Sequence, residues 1–354
     1  MPRSTDVPRE APEAFDAIHG DMLRHFRDLV VELGGHPEAL FAHVGIDPAR
    51  SPHGRPRASY RQFVLLLEFA ARELGCADFG LQLAVRQSAM AYAGPLGDGM
   101  RNSRTFGEAL QFVCNHSYAH SRAAWIWLRP SLSGASTVVG HDILLDGLPQ
   151  KSQAMEYILL VGNLATLDLT GGRVRARRVL LRHQSISPVK SYRRYFGCDV
   201  RFGRSADAVL YNQDDLACPI FNPDAEAYQA AASVIETRFV LRKPPLHANA
   251  RGVIAHLLGT EACTRGRVAA ALNLHPRTLV RGLAAESTSF QQIKDEVRRN
   301  RMLYYIRQTG LEFAVISEKL GFAEQAVMTR CCRKWFATSP TRLRAASRAT
   351  AAIS

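Results

Sequence analysis

The chain lacks the features that mark a membrane or secreted protein. Its 354 residues contain no apolar run of about 18 residues, and the opening "MPRSTDVPREAPEAF" carries acids and prolines where a signal peptide needs an apolar stretch. The seven cysteines are scattered and show no CxxC spacing, which favours reduced thiols over disulfides or a zinc site. We therefore expect a soluble, cytoplasmic protein without a metal or a cofactor and without membrane association.

Signatures of catalysis are also missing. The sequence has no GxSxG elbow, no HExxH, no GxxxxGK[ST] phosphate loop and no GxGxxG, so it is not expected to be an enzyme. His116 and His120 are four residues apart and could share a helix face as metal ligands do, but no Glu, Asp or Cys joins them at helical spacing. A structural role is therefore favoured for both histidines.

Positive charge is what the sequence has in excess, and it is unevenly placed. The net charge is +13, and residues 251–350 alone hold 17 Lys and Arg against 7 Asp and Glu. Such a local excess suits a polyanion, because each phosphate that is neutralised releases a condensed counterion. Nucleic acid is therefore a candidate partner of the last hundred residues, and the charge alone would also fit a membrane surface or a solubilising role.

The first part of the chain begins with helical patterns. Apolar residues recur at helical spacing over Phe15–Leu33 and again over Tyr60–Leu74. Ser103 or Thr105 is placed to cap a further helix. We expect a layer of helices in this part.

Short β-type segments follow, rich in branched and aromatic residues. They are "AAWIWLRP", "STVVGHDILL" and "RARRVLLRH", and "DVRFGRSADAVLYN" is typical of two strands around a turn. Between the second and third segments, Leu148–Leu169 has the pattern of one helix. The pattern predicts an α+β domain.

Two tryptophans stand out within the first of these strands. Trp125 and Trp127 alternate along it, so they share one face of the sheet. They could line an effector pocket, or they could be ordinary core residues.

A break separates the two halves of the chain. "LRKPPLHANARG" carries two prolines and few apolar residues, so a helix should break there. The resulting division is a mobile N-terminus at 1–14, an α+β effector-sensing domain at 15–240, a linker at 241–252, an all-α domain at 253–345 and a tail at 346–354.

One short pattern occurs twice in the second half, in Val268–Arg281 and in Ile316–Arg330. With the copies aligned 48 residues apart, Leu272 falls on Leu320, and Leu279 falls on Val327. In each copy a short helix should end at a residue that tolerates a left-handed backbone, Asn273 or Gly321, before a second helix begins.

This is the spacing of a helix-turn-helix motif, whose second helix enters the major groove. Pro276 suits the first turn of the second helix in the first copy. The polar residues expected to face outward and contact bases are Arg277, Thr278, Arg281, Gln325, Thr329 and Arg330.

The segment between the copies predicts how they are held. Ser289–Gln308 contains no Pro or Gly, and as a helix it would be roughly 30 Å long. Successive major-groove faces on one side of B-DNA are about 34 Å apart. A helix of this length could therefore hold two recognition helices one DNA turn apart.

These residues resemble the DNA-binding region of the AraC/XylS family of bacterial transcription regulators. The resembling segments are "HPRTLVRGLAAESTSFQQIKDEVRRNRMLYYI", "ISEKLGFAEQAVMTR" and "KWFATSPTRLR". The N-terminal half resembles the effector domain of the branch that includes the ornithine-utilisation activator, in "YRQFVLLLEFAARELGCADFGLQLA", "GPLGDGMRNSRTFGEAL" and "YRRYFGCDVRFGRSADAVLYNQDDLACPIFNPDAE".

The resemblance implies a fold and a function. The fold is an α+β effector domain followed by an all-α domain, in which two helix-turn-helix motifs are joined by a long helix. The function is regulation of transcription, usually as an activator, on promoter DNA and under a small-molecule effector, with RNA polymerase and a second copy of the chain as further partners. Two other readings stay open from the residues: a DNA-independent interaction protein, and an enzyme with a helix-turn-helix appendage.

The chain departs from the family pattern at five positions. Ala323 and His275 stand where Ser commonly precedes a recognition helix, and the loss of a Ser cap costs about 1 kcal/mol. Cys332 replaces a packed aromatic residue, Ala337 replaces a helix-ending Gly, and Leu343 replaces a Tyr. These departures predict a looser or differently targeted second motif.

Overall fold

The structure is a computed structural model, and it describes residues 15–18, 22–47, 58–87, 94–131, 134–145, 147–148, 150–239, 245–260, 263–272 and 274–351. The chain divides into two compact units, residues 1–243 and 244–354. Among the described residues, no helix is long and apolar enough to cross a bilayer. The predicted mobile start, residues 1–14, lies outside the described residues.

The first unit contains a helical layer and a mixed sheet. Its helices are α1 Phe26–Glu32, α2 Pro37–His43, α3 Tyr60–Glu73, α4 Phe79–Arg86, α5 Gly94–Arg101, α6 Phe106–His116, α7 Ser152–Thr170, α8 Val189–Phe196 and α9 Ala225–Arg238. Its strands are β1 Ala124–Pro130, β2 Ser136–Ile143, β3 Arg178–Leu180, β4 Asp199–Arg201 and β5 Ala208–Asn212.

The strands form one sheet in the order β1-β2-β5-β3-β4. Neighbours are antiparallel except β3 and β4, which are parallel. The two strands predicted in "DVRFGRSADAVLYN" are present as β4 and β5, but β3 lies between them, so they do not pair with each other.

The core of this unit is centred on α7, which is apolar on most of its circumference and packs against α3, α4 and α6. Tyr60, Phe63 and Tyr157 are fully buried there, with the rings of Phe63 and Tyr157 5.3 Å apart in an edge-to-face arrangement. A helix that is apolar all round is typical of a buried position, and α7 thereby links the helical layer to the sheet.

Capping side chains mark the starts of α3 and α6. Thr105 caps α6 by accepting a hydrogen bond from the amide of Glu108, and α3 begins at Tyr60 behind a capping box at Ser59. The predicted helix over Phe15–Leu33 was wrong at its start, because Ala17 lies in an isolated β-bridge with Ser59 and the helix begins at Phe26.

The second unit is all-helical, so the predicted fold class of an α+β domain followed by an all-α domain is confirmed. Its helices are α10 Leu246–Leu257, α11 Arg265–Ala271, α12 Pro276–Ala285, α13 Phe290–Gln308, α14 Phe313–Lys319, α15 Gln325–Phe336 and α16 Pro340–Ala351.

Two predicted boundaries need correction. The linker was predicted over 241–252, but α10 already begins at Leu246, directly behind Pro245. The predicted break between helices is present, since α9 ends at Arg238 and α10 begins at Leu246. Proline is compatible with a helix start, where its missing amide hydrogen costs nothing, so Pro245 marks the beginning of α10 and the linker ends earlier than predicted. Likewise α16 continues to Ala351, beyond the predicted start of the tail at residue 346.

Candidate nucleic-acid interface and effector cavity

The first helix-turn-helix motif consists of α11 and α12. Thr264 caps α11, and Pro276 is the first residue of α12, as predicted. The Nδ1 atom of His275 accepts a hydrogen bond from the amide of Arg277 at 3.3 Å, so His275 performs the capping role of the Ser that it replaces.

One face of α12 is buried and the other is open. Leu279 and Leu283 are fully buried, whereas Arg277, Thr278 and Arg281 are exposed. Residues four apart share a helix face, so the two arginines lie one turn apart on the side away from the leucines. The three predicted base-contacting residues of the first motif therefore lie on the solvent side of α12.

The second motif consists of α14 and α15. Met328 and Cys332 are fully buried, while Gln325 and Arg330 are exposed. Thr329 is half-buried, and its hydroxyl donates to the carbonyl of Gln325 at 3.0 Å. This bond occupies the hydroxyl hydrogen, which leaves the methyl group and the oxygen lone pairs of Thr329 for other contacts.

Burial shows that the two copies are not in one constant register. Val268 and Ile316 are both fully buried at an offset of 48, but the buried partner of Leu279 is Met328, at an offset of 49. The predicted match of Leu279 with Val327 was therefore wrong. Four residues separate the helices of the first motif and five separate those of the second, so the turn of the second motif holds one additional residue.

The same insertion moves the cap of the second recognition helix. The N-cap residue of α15 is Glu324, and its side chain makes no capping bond. Ala323, which we expected at this position, lies one residue earlier. Gly321 has φ of 64°, as predicted for the residue that ends the first helix of this motif, whereas Asn273 lies outside the described residues.

The joining helix α13 is fixed to the second motif by Arg298. Its Nε donates to the carbonyl of Leu320 at 3.0 Å and its Nη2 donates to the carbonyl of Gly321. These carbonyls end α14, where helical partners are missing, so the guanidinium satisfies them. The predicted spacer helix is present over Phe290–Gln308, and its 19 residues span about 28 Å.

The first residues of helix α10 contact the first motif. The carboxylate of Glu286, at the end of α12, accepts from the amides of Leu246 and His247, each at 2.8 Å. Burial raises the pKa of Glu286, but these bonds outweigh it and hold the pKa below its ordinary value. The side chain of Leu246 also lies where a Cβ at Gly282 would be, so glycine lets α10 approach α12 closely.

The other end of α10 reaches the second motif. Gly259 follows α10 with φ of 82°, and a Cβ at this position would lie 2.5 Å from the carbonyl oxygen of Lys319. The backbone of Gly259 also lies against Gly321. Because α10 contacts α12 at one end and the turn of the second motif at the other, it helps to fix the relative position of the two recognition helices.

The remaining family departures are accommodated in different ways. Cys332 is fully buried, which raises the pKa of its thiol to about 11, and Leu343 is buried. Ala337 ends α15 with φ of 54°, a left-handed conformation that favours glycine. The second motif is therefore packed, but it carries backbone strain at its last helical boundary.

The first unit contains a cavity of about 160 Å³. It lies between the sheet and α3, α5, α6 and α7, and we call it the effector cavity. Ile126, Val139 and Val209 line it from the sheet, and Leu96, Leu110 and Ile158 are among the residues that line it from the helices.

The tryptophan pair does not line this cavity, so it is not supported as an effector site. Trp125 and Trp127 share one face of the sheet as predicted, but Ile126, between them, points to the cavity. Trp127 packs in a separate cluster with Val138, and its Nε1 donates to Asp142 at 2.8 Å. Alternation along a strand predicts a shared face but not which face meets the helices.

The polar side of the effector cavity contains a tyrosine and two histidines. The hydroxyl of Tyr60 lies 3.0 Å from Nε2 of His141, and the ring of His120 is edge-to-face with that of Tyr60. Burial lowers the pKa of His141 to about 3, so its imidazole is neutral at physiological pH. None of these residues was singled out for the cavity from the sequence, because they come from positions far apart in the chain.

His116 and His120 do not form a pair on one helix. His116 is the last residue of α6, where its Nδ1 lies 2.9 Å from the carbonyl of Phe112, and His120 follows the helix at the effector cavity. Within the described ranges, no group of three His, Cys, Asp or Glu side chains is arranged to hold a metal ion.

Comparison with known proteins places both units in described families. Residues 34–220 match the family described as the arabinose-binding domain of AraC transcription regulators, at the N-terminus. Residues 268–346 match a helix-turn-helix domain family.

Three known proteins are similar to this chain over most of its length. The HTH-type transcriptional regulator VirS of Mycobacterium tuberculosis is 31% identical over 330 residues, which cover 93% of this chain and 96% of the relative. The ornithine utilization regulator of Pseudomonas aeruginosa is 26% identical over 340 residues, covering 90% and 94%. The crystal structure of the transcriptional regulator CdpR from Pseudomonas aeruginosa is 21% identical, with a TM-score of 0.44, and the similarity covers 90% of this chain and 97% of that one.

Proposed function

The chain belongs to the AraC family of transcription regulators, and we propose that its two motifs read successive major-groove segments of one operator. As a family member it is a DNA-binding regulator with an N-terminal ligand-binding domain, and its relatives are regulators and not enzymes. The residues proposed to contact DNA are Arg277, Thr278, Arg281, Gln325, Thr329 and Arg330.

The division of each recognition helix into a buried and an exposed face carries this proposal. Arg281 and Arg330 lie at the same place in their helices, each opposite two fully buried residues. A guanidinium can bond guanine bidentately, and the amide of Gln325 can do the same with adenine. The joining helix, about 28 Å long, is close to the distance of about 34 Å between successive major grooves.

Effector control completes the proposal. Binding of a small-molecule effector in the first unit changes the affinity of the second unit for DNA. This requires that the effector binds two conformations of the chain with different affinities. A coupling free energy of about 1 to 3 kcal/mol is typical of such switches. We further propose that the protein acts in the cytoplasm as an activator, through RNA polymerase and as a homodimer, because this is what resemblance to the family implies.

The test is binding of the full chain to the DNA upstream of its own gene and to a scrambled sequence, over a series of salt concentrations. Arg281→Ala and Arg330→Ala should each remove about 1 to 3 kcal/mol of the preference for the upstream DNA. Arg267→Ala is the matched control, since Arg267 is exposed on α11, outside the recognition helices. This variant should weaken binding to both DNAs by the same factor and make the dependence of binding on salt shallower.

Two results would contradict parts of the proposal. If Arg281→Ala removes the preference for the upstream DNA and Arg330→Ala leaves it unchanged, the second motif contributes no base contacts. Equal binding of the two DNAs by the wild type, followed by failure to select any sequence from a random DNA pool, would contradict sequence reading altogether.

A further inference from the structure

We propose that Glu286 is a positioning residue, whose carboxylate fixes the rotation of the first recognition helix, α12, relative to the second, α15. Binding should then depend on the number of base pairs between the two DNA segments that these helices read. The inference rests on the proposed reading of two segments by one chain, and it concerns the second unit alone.

The carboxylate of Glu286 caps a helix to which this residue does not belong. Helix α10 begins behind Pro245, whose side chain makes no capping bond, and the first amides of a helix have no partner within it. The amides of Leu246 and His247 donate to Glu286, one to each carboxylate oxygen, at 2.8 Å. The negative charge also lies at the positive end of the α10 dipole. Glu286 therefore holds the start of α10 through two charge-assisted bonds.

Close packing fixes the same end of α10. Gly282 lies one turn before Glu286 on the same face of α12, and a Cβ at Gly282 would lie 2.4 Å from Cδ2 of Leu246. Nδ1 of His247 lies 2.7 Å from the Glu286 carboxylate. Bonds at one point of α12 and steric contact at another therefore locate the start of α10 along α12 as well as against it.

The far end of α10 is held by the second motif. The 12 residues of α10 span about 18 Å, and Gly259 follows two residues after the last of them. A Cβ at Gly259 would lie 2.5 Å from the carbonyl oxygen of Lys319, the last residue of α14, and its backbone lies against Gly321 in the turn before α15. Helix α10 therefore extends from the end of one recognition helix to the turn that precedes the other.

Two connections between the motifs restrict them more than one connection does. The joining helix α13 sets the distance between the motifs, but a single helix leaves rotation about its own axis to be fixed by other contacts. Helix α10 packs against α13 and contacts a motif at each of its ends, so it forms a second connection beside the first. Rotation of one motif relative to the other then requires that the contacts at one end of α10 break.

On DNA, this rotation corresponds to the spacing between the two segments. One inserted base pair moves the segments apart by about 3.4 Å and turns one relative to the other by about 35°. Two recognition helices that are fixed in rotation cannot both follow this change, whereas two that rotate more freely can. Glu286 should therefore contribute to discrimination between spacings.

The test measures binding of the full-length protein to the best site that the wild type selects from a random DNA pool. Copies of this site carry one base pair inserted or deleted between the two contacted segments. For the wild type, each altered copy should bind at least about ten-fold more weakly, because one recognition helix loses base contacts. For Glu286→Ala, the ratio between the original site and the altered copies should fall below about three-fold.

Control variants separate position from charge. Glu318→Ala removes the same charge from an exposed residue of α14 and should keep the wild-type ratio. Leu246→Ala leaves the charge of Glu286 in place and should lower the ratio, and it tests the proposal if Glu286→Ala does not fold. Glu286→Gln should give an intermediate ratio, because its amide oxygen accepts a hydrogen bond without the negative charge.

Failure of this inference and failure of the proposed function give different results. A wild-type ratio in folded Glu286→Ala and Leu246→Ala would overturn the positioning role, while the reading of two segments stands. Equal binding of all spacings by the wild type would overturn the fixed arrangement of the motifs. If Arg330→Ala leaves the base preference of the selected site unchanged, the second motif does not read bases, and this inference fails together with the proposed function.

Discussion

Arg298 of the joining helix lies over the ring of Phe322 in the second motif, with its guanidinium carbon 4.3 Å from the ring centroid. The same guanidinium donates to two carbonyls of the turn between α14 and α15. One side chain therefore combines a cation–π contact with the completion of a helix end.

We expect Arg298→Ala to lower the free energy of unfolding by about 2 to 3 kcal/mol, because the carbonyls of Leu320 and Gly321 lose a charged donor. The free energy of unfolding of Arg298→Lys should lie between those of the wild type and Arg298→Ala, since an ammonium keeps the charge but not the planar geometry of the guanidinium. Urea unfolding measures both. Arg307→Ala, an exposed residue on the same helix, should stay within about 0.5 kcal/mol of the wild type, and an equal effect of the two Ala variants would contradict a specific role of Arg298.

Ala337→Gly should stabilise the protein. Ala337 holds a left-handed conformation with φ of 54°, which costs an L-residue about 1 to 2 kcal/mol and costs glycine little. We expect a gain of about 1 kcal/mol in the free energy of unfolding by urea. Ala345→Gly, inside the exposed part of α16, should instead lose about 1 kcal/mol, and the same sign for both variants would refute the conformational explanation.

Gly259→Ala should be strongly destabilising, because its Cβ would lie 2.5 Å from the carbonyl oxygen of Lys319 and the backbone has φ of 82°. We expect a loss of at least about 3 kcal/mol, or a shift of α10 that weakens DNA binding. The control is Gly266→Ala, which has nothing within 4 Å of the new Cβ and lies in α11. That variant should be neutral or slightly stabilising in thermal unfolding.

Glu156→Gln should change how stability depends on pH. Glu156 is fully buried and accepts a hydrogen bond from Tyr192 at 2.7 Å, and burial raises its pKa to about 8. Between about pH 4.5 and 8 the folded state keeps a proton that the unfolded state has released, so this group lowers stability as the pH rises. His141, with its pKa lowered by burial, acts in the opposite direction below pH 6.5 in both proteins.

Glutamine imitates the protonated acid, so the variant should match the wild type near pH 4.5. Near pH 8.5 the free energy of unfolding of the variant should exceed that of the wild type by at least about 1 kcal/mol. The measurement is urea unfolding at both values. A difference that does not grow with pH would show that Glu156 is ionised in the folded protein.

Local signals account for what the sequence predicted well. Thr264, Ser289 and Thr105 each cap a helix through a bond to an amide three residues later, so the evidence for these helix starts lies within four residues. The outward position of Arg277 and Arg281 follows from helical periodicity in the same way.

Tertiary contacts account for what it missed. The insertion in the second turn became visible only through the burial of Met328 and Cys332, since Val327 is an equally apolar candidate in the sequence. The effector cavity joins Tyr60, His141 and Tyr211, which no local pattern brings together. The role of Glu286 likewise depends on a helix 40 residues away.

The unequal faces of the two recognition helices have a consequence for the operator. By the register of burial, Arg281 corresponds to Arg330, but Arg277 corresponds to Ala326 and Val280 to Thr329. Under our proposal that both motifs read bases, each chain recognises a stretch of DNA that has no internal symmetry, because its two recognition helices differ and follow a fixed order. On such a stretch the DNA-binding unit has a single direction, and reversing the stretch reverses the order in which the two motifs lie along the DNA.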